Sequence, residues 1–103
     1  MGIGEKMTIR VVAREKIISG KRDEVIEKFL TEMVDTTRKE KGCISYDYHV
    51  DVDDADVFAM IETWETMEDL QAHLKSEHFQ RIIPQVGEYL SEKTRLEIYE
   101  LIL

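Results

Sequence analysis

Nine residues, VFAMIETWE (57–65), constrain this chain more than any other stretch. Strand side chains alternate, so Val57, Ala59 and Ile61 point one way and Phe58, Met60, Glu62 and Trp64 the other. Both faces are mainly apolar, and a strand of that kind must be covered twice. A single layer of helices covers one face. A chain of 103 residues is one small domain with little left to cover the other. The pattern therefore points to a partner subunit, most simply a second copy in a homodimer.

The rest of the chain supplies the other layers. Thr8 to Ile18 (TIRVVAREKII) is rich in β-branched residues and reads as a first strand. SGKRDE gives turn and helix-start chemistry, and Val25, Ile26, Phe29, Leu30, Met33 and Val34 then recur at helical spacing. That spacing predicts a helix to Lys41, stopped by Gly42 after the basic turn RKEK. CISYDYHV alternates, with Ile44, Tyr46, Tyr48 and Val50 expected on one face and Cys43, Ser45, Asp47 and His49 on the other. DVDDAD is a polar turn joining it to the apolar strand.

Thr66 is a candidate N-cap for a helix with Met67, Leu70 and Leu74 in its stripe. Ser76 begins another, carrying Phe79, Ile82, Ile83 and Val86, which Pro84 is expected to break or kink. TRLEIYELIL closes as a strand. The order β-α-β-β-α-β is the split βαβ, ferredoxin-like plan of an α+β domain. Residues 8–103 form that domain, and residues 1–7 read as an N-terminal extension.

Composition excludes several classes. Asp and Glu outnumber Lys and Arg 22 to 14, so a net charge of −8 repels phosphate backbones and anionic membranes. Neither nucleic acid nor membrane is expected as a partner. MGIGEKMTIR lacks the long apolar core of a secretory signal, so a cytoplasmic location is expected. The lone Cys43 excludes an internal disulfide and reads as a small packing residue.

Motifs for phosphate loops, dinucleotides and Gly-flanked nucleophilic serines are missing. His73 and His78 are five apart, about 140° around a continuous helix, whereas a helical zinc pair is four apart. A helix break at Ser76 can realign them with Glu62 as a third ligand, but the spacing carries no metal signature and no metal is assigned. Glu62 shares a face with apolar groups, so it must find a donor or rise in pKa. It is either the polar anchor of a cavity or a brace between strand and helix. Trp64 is either a ligand wall or the largest core residue. His73 flanks an apolar stripe, His78 opens a helix, and Tyr46 and Tyr48 can offer hydroxyls to a cavity. Periodicity leaves those roles open.

Two segments, EKGCISYDYHVDVDD and FAMIETWETMEDLQAHLKSEHF, resemble the antibiotic biosynthesis monooxygenase family, which includes quinol monooxygenases. The shared pattern is Gly42-Cys43-x-x-Tyr46, then Glu62-x-Trp64, then His73-Leu-x-Ser-x-His78-Phe79. The resemblance implies a ferredoxin-like domain pairing with a second copy as a dimeric α+β barrel. It also implies a pocket near Glu62, Trp64 and the two histidines. Some such proteins oxidise quinol-like or polycyclic phenolic substrates with O₂ and no cofactor, the deprotonated substrate itself passing an electron to O₂. On that reading Trp64 and Phe79 wall the pocket, His73 or His78 is base or oxyanion donor, Glu62 orients a histidine, and Tyr46 or Tyr48 positions the small aromatic substrate. The alternative is a non-catalytic dimer that binds a small molecule in the same cavity. A haem-degrading branch uses an Asn, a Trp and a His where this chain has Ala13, His73 and Ile83, which argues against haem degradation. A branch that isomerises a phosphorylated sugar is disfavoured by the acidic balance.

Overall fold

The computed structural model describes residues 7–103. The expected N-terminal extension therefore lies, Met7 apart, outside the described residues. Four strands, β1 (Ile9–Lys16), β2 (Cys43–Val50), β3 (Val57–Trp64) and β4 (Arg95–Glu100), form one antiparallel sheet in the order β2-β3-β1-β4. Three helices pack on one face: α1 (residues 22–37), α2 (Met67–Leu74) and α3 (Glu77–Gly87). This is the ferredoxin-like α+β arrangement expected from the sequence. Among the described residues, no helix is long and apolar enough to cross a membrane.

β3 lies between β1 and β2, so its backbone is paired on both edges. Its register sets Ile9 against Trp64, Val11 against Glu62, Ala13 against Met60 and Glu15 against Phe58. Those residues face the helices and are buried. Ile61 and Ala59 stand on the opposite face beside Val12, where no helix reaches, and are half-buried. β4 is exposed along its whole length, and Leu96, Ile98, Tyr99, Leu101, Ile102 and Leu103 leave apolar surface uncovered.

Three local departures from the expected pattern shape the region around β3. In β2 the pairing slips between Cys43 and Ser45, so that Cys43 opposes Trp64 and Ser45 opposes Thr63. This bulge puts Cys43 on the same face as Tyr46 and Tyr48 and turns Ile44 to solvent, against the simple alternation. In α1, Ile26–Leu30 forms a π turn between the α-helical segments Arg22–Val25 and Thr31–Thr37. Its extra residue lets Val25, Leu30, Met33 and Thr37 all be buried on one side. Pro84 lies inside α3 without ending it. Pro84 removes one helical N–H, and Gln85 Nε2 donates to the Arg81 carbonyl at 2.9 Å, pairing a backbone acceptor beside the gap.

The helical segment also ends at Thr37, four residues before Lys41. Residues 38–43 continue as tight turns, with Lys39 N donating to Thr36 O, Glu40 N to Thr37 O and Cys43 N to Glu40 O. Arg38 anchors them by donating to Tyr46 O at 3.1 Å and Asp47 at 2.7 Å. Gly42 has φ +81°, and a Cβ there would lie 2.0 Å from Asp69 Oδ2. Glycine is needed both for its backbone and for this approach to α2. As expected, Thr66 and Ser76 cap α2 and α3, accepting from Asp69 N at 3.1 Å and Phe79 N at 3.3 Å.

Gly42→Ala should therefore cost about 1–2 kcal/mol from the left-handed backbone alone, and more from the clash. Urea denaturation will show that loss, and adding Asp69→Ala should recover the part due to the Asp69 carboxyl. An unchanged midpoint in the single variant contradicts the account.

Candidate active site

A cavity of about 230 Å³ lies between the sheet and helices α2 and α3. Its floor is the helix-facing surface of β1 and β3, including Val11, Ala13 and Met60, and Leu70, Phe79 and Ile83 come down from the helices. Leu96 and Ile98 form the β4 side, where no helix closes over them. The polar groups in this apolar lining include Glu15, Glu62, Tyr46 and Tyr48. Tyr46 pairs with Glu62 across the strands and Tyr48 with Met60, which brings both phenols to the wall. Their rings meet edge-on at 6.0 Å.

The two carboxyls occupy different ends. Glu15 pairs with Phe58 and Val11 with Glu62, a separation of four strand positions or about 13 Å along the backbone. Burial pushes Glu15 up to about 7. Burial also pushes Glu62 up to about 7, with the Glu40 charge adding to it and a hydrogen bond from Trp64 opposing it. That bond is short, Trp64 Nε1 donating to Glu62 Oε1 at 2.6 Å. Burial, then the neighbouring phenol and carboxylates, lifts Tyr46 far above the usual phenol range, and burial lifts Tyr48 as well. Both hydroxyls are thus neutral at any working pH. Cys43 is pushed up to about 11, chiefly by burial, so it is a thiol.

The sequence candidates divide between two places. Glu62, Tyr46, Tyr48 and Phe79 line the cavity. His73 and His78 instead meet a carboxylate that sequence reasoning gave no role. His73 Nδ1 is 3.0 Å and His78 Nε2 2.8 Å from the same oxygen, Glu40 Oε1. Thr37 Oγ1, fully buried, is 3.0 Å from His78 Nε2. Trp64 is fully buried behind the cavity, its indole 4.9 Å from the His73 ring. Phe79 and Tyr46 pack on other sides of that ring, at 5.1 and 5.6 Å. Burial holds the His73 pKa below its usual range against the opposing pull of Glu40, so the ring is neutral around pH 7.

Glu15 was readable from the alternation Ile9, Val11, Ala13, Glu15, which puts a carboxyl on an apolar face. Glu40 had no such signal. It reaches its partners only because α1 ends early and turns.

The raised carboxyl values make stability depend on pH. Between the ordinary glutamate value and about 7, the folded protein binds protons that the unfolded chain has released. Stability is thus full below that window and falls as pH rises through it, by up to about 3 kcal/mol per group. Glu15→Gln and Glu62→Gln should each raise the melting temperature at pH 8 and lose that advantage near pH 4.5. Equal melting shifts at both pH values would contradict burial as the cause.

Residues 8–85 match the family model for antibiotic biosynthesis monooxygenase. A conserved protein of Methanosarcina mazei Go1 shares 31% identity and superposes with a TM-score of 0.87, covering 91% of this chain and 92% of that one. A crystal structure described as an antibiotic biosynthesis monooxygenase gives 28% identity and a TM-score of 0.86 over 92% of this chain and 99% of that one. An uncharacterized Synechocystis protein, sll1783, is 26% identical over 93 residues, 90% of this chain but 63% of its own length. The match covers most of the described chain, including α2, most of α3 and the strands β1, β2 and β3: the chain belongs to the antibiotic biosynthesis monooxygenase family.

Proposed function

We propose that this protein is a homodimeric monooxygenase that oxidises a small quinol-like or polycyclic phenolic substrate with O₂, without a redox cofactor. The observation that carries the reading is Glu62, a carboxyl raised to about 7 at the wall of an apolar 230 Å³ cavity. A general base works best when its pKa lies near the operating pH. Glu62 takes the substrate's proton, and the resulting anion is electron-rich enough to pass an electron to O₂. One oxygen atom enters the product and the other leaves as water. Tyr46 and Tyr48 remain protonated and donate hydrogen bonds to the substrate oxyanion. Phe79 and the aliphatic lining keep water from competing.

The base role moves from the histidines to Glu62 on geometry, since the cavity lining includes Glu62 while both imidazoles point to Glu40. Trp64 orients the base through its N–H, and His73 braces Trp64 from behind. The second copy has a place to bind. The open sheet face carries Val12, Ala59 and Ile61, and β4 with the following leucines and isoleucine is exposed. Leu96 and Ile98 lie on the helix-facing side of β4, so a second copy would cover the cavity there only by also reaching round that edge.

Oxygen uptake with a panel of hydroquinones and anthrones tests the chemistry. The rate should exceed autoxidation and rise with pH to a plateau above about 7, as Glu62 ionises. Glu62→Gln should lower kcat by about 10²–10⁴ and remove that rising limb. A rate equal to autoxidation, or an unaffected Glu62→Gln, sinks the mechanism. Ligand-induced thermal stabilisation without O₂ consumption would instead mark a binding protein.

The dimer is checked by sedimentation equilibrium. Wild-type protein should weigh twice the 12.1 kDa chain, and Ile61→Glu should shift it to monomer by placing a charge on the paired face. A monomeric wild type removes the homodimer from the reading.

A further inference from the structure

We propose that Glu40, His73 and His78 form a binding site for a divalent transition-metal ion of the zinc class, separate from the cavity. Their ligand atoms, Glu40 Oε1, His73 Nδ1 and His78 Nε2, all lie within 4.8 Å of one another. Two edges of that triangle are 3.0 and 2.8 Å. Tetrahedral zinc, with bonds of about 2.0–2.1 Å to nitrogen and oxygen, spaces neighbouring donors by about 3.3 Å. The triangle thus closes around an ion by small rotations of three side chains. Two imidazoles and one carboxylate suit Zn²⁺ or Co²⁺ and are poor hosts for Mg²⁺ or Ca²⁺, which take oxygen cages.

The contacts of this cluster are crowded onto few atoms. His78 Nε2 carries at most one proton, yet it faces both Glu40 Oε1 at 2.8 Å and Thr37 Oγ1 at 3.0 Å. Glu40 Oε1 must in turn serve both histidines. Potential ligand atoms from the end of α1, from the turn that follows, from α2 and from α3 thus converge at one place. A cation satisfies them together, with Thr37 Oγ1 or a water as the fourth ligand. The His73 ring then keeps its proton on Nε2, which is buried among Tyr46, Trp64 and Phe79 without a hydrogen-bond partner. The two imidazoles are buried, whereas the Glu40 side chain keeps 19% of its surface exposed and gives the ion its entry path. The bound ion would clamp the 38–43 turn to both capped helices and hold the His73 ring against the cavity's back wall. Its role is structural.

The full-length chain is stripped with EDTA and titrated with Zn²⁺ by calorimetry and with Co²⁺ by visible absorption. One equivalent per chain should bind, with the intense d–d bands of four-coordinate Co²⁺, and Zn²⁺ should raise the melting temperature. Glu40→Gln and His78→Ala should each weaken binding by about a hundredfold or more, because losing even an outer partner costs about 10–100-fold. His49→Ala, on the far face of the sheet, should bind as wild type does. Failure of wild-type protein to take up either ion overturns the proposal without recourse to any variant. Stoichiometric uptake that survives Glu40→Gln and disappears in His49→Ala overturns it equally, by placing the ion elsewhere.

Discussion

The bond from Trp64 to Glu62 is the interaction on which the rest of the site depends. The indole is fully buried, and a buried N–H left without an acceptor would cost about 1–3 kcal/mol. Two positions earlier on the same strand face, Glu62 supplies that acceptor at 2.6 Å. The pairing works in both directions. The largest core side chain gains a partner, and a carboxyl whose pKa burial would otherwise raise further is drawn back toward the ordinary glutamate range. A residue of the core thereby tunes the carboxyl at the cavity wall.

Polar groups under the sheet are sorted by how they are satisfied. Glu15 and Glu62 face an apolar space, and their burial appears as raised pKa values. Glu40 faces two imidazoles instead, one of which also meets the Thr37 hydroxyl, and keeps part of its surface in water. One small layer can hold three carboxyls because the sheet spaces two of them along a strand face and the α1 turn holds the third apart.

The parts legible in the sequence were those governed by local rules. Thr66 and Ser76 announce helix starts by residue type, and β3 announces by its alternation that both of its faces are mainly apolar. Glu62 stands out because a charge on an apolar face must be explained. The bulge at Ile44 was hidden, since register is set by the partner strand as well as by β2's own pattern. The early end of α1 was hidden too, because Arg38 and Glu40 read as a basic last turn until their partners Asp47, His73 and His78 are in place. Glu40 reaches His73 across 33 residues of chain, a distance over which periodicity carries no information. The same gap explains why the histidines read as cavity groups: they share a helix layer with Phe79, which does line it, and only the turn's path reveals the carboxylate that claims them.

His73 joins the two halves of this arrangement. Its Nδ1 reaches Glu40, while the ring packs against Trp64, Tyr46 and Phe79. Tyr46 and Phe79 are cavity wall, and Trp64 holds Glu62. A rigid aromatic ring in a close-packed interior cannot shift without moving what it touches. Whatever fixes His73 Nδ1, whether a hydrogen bond or a metal ion, therefore also fixes the orientation of the indole and, through its N–H, the carboxylate at the cavity. On the proposed mechanism, Glu40 is a positioning group for a base it never touches.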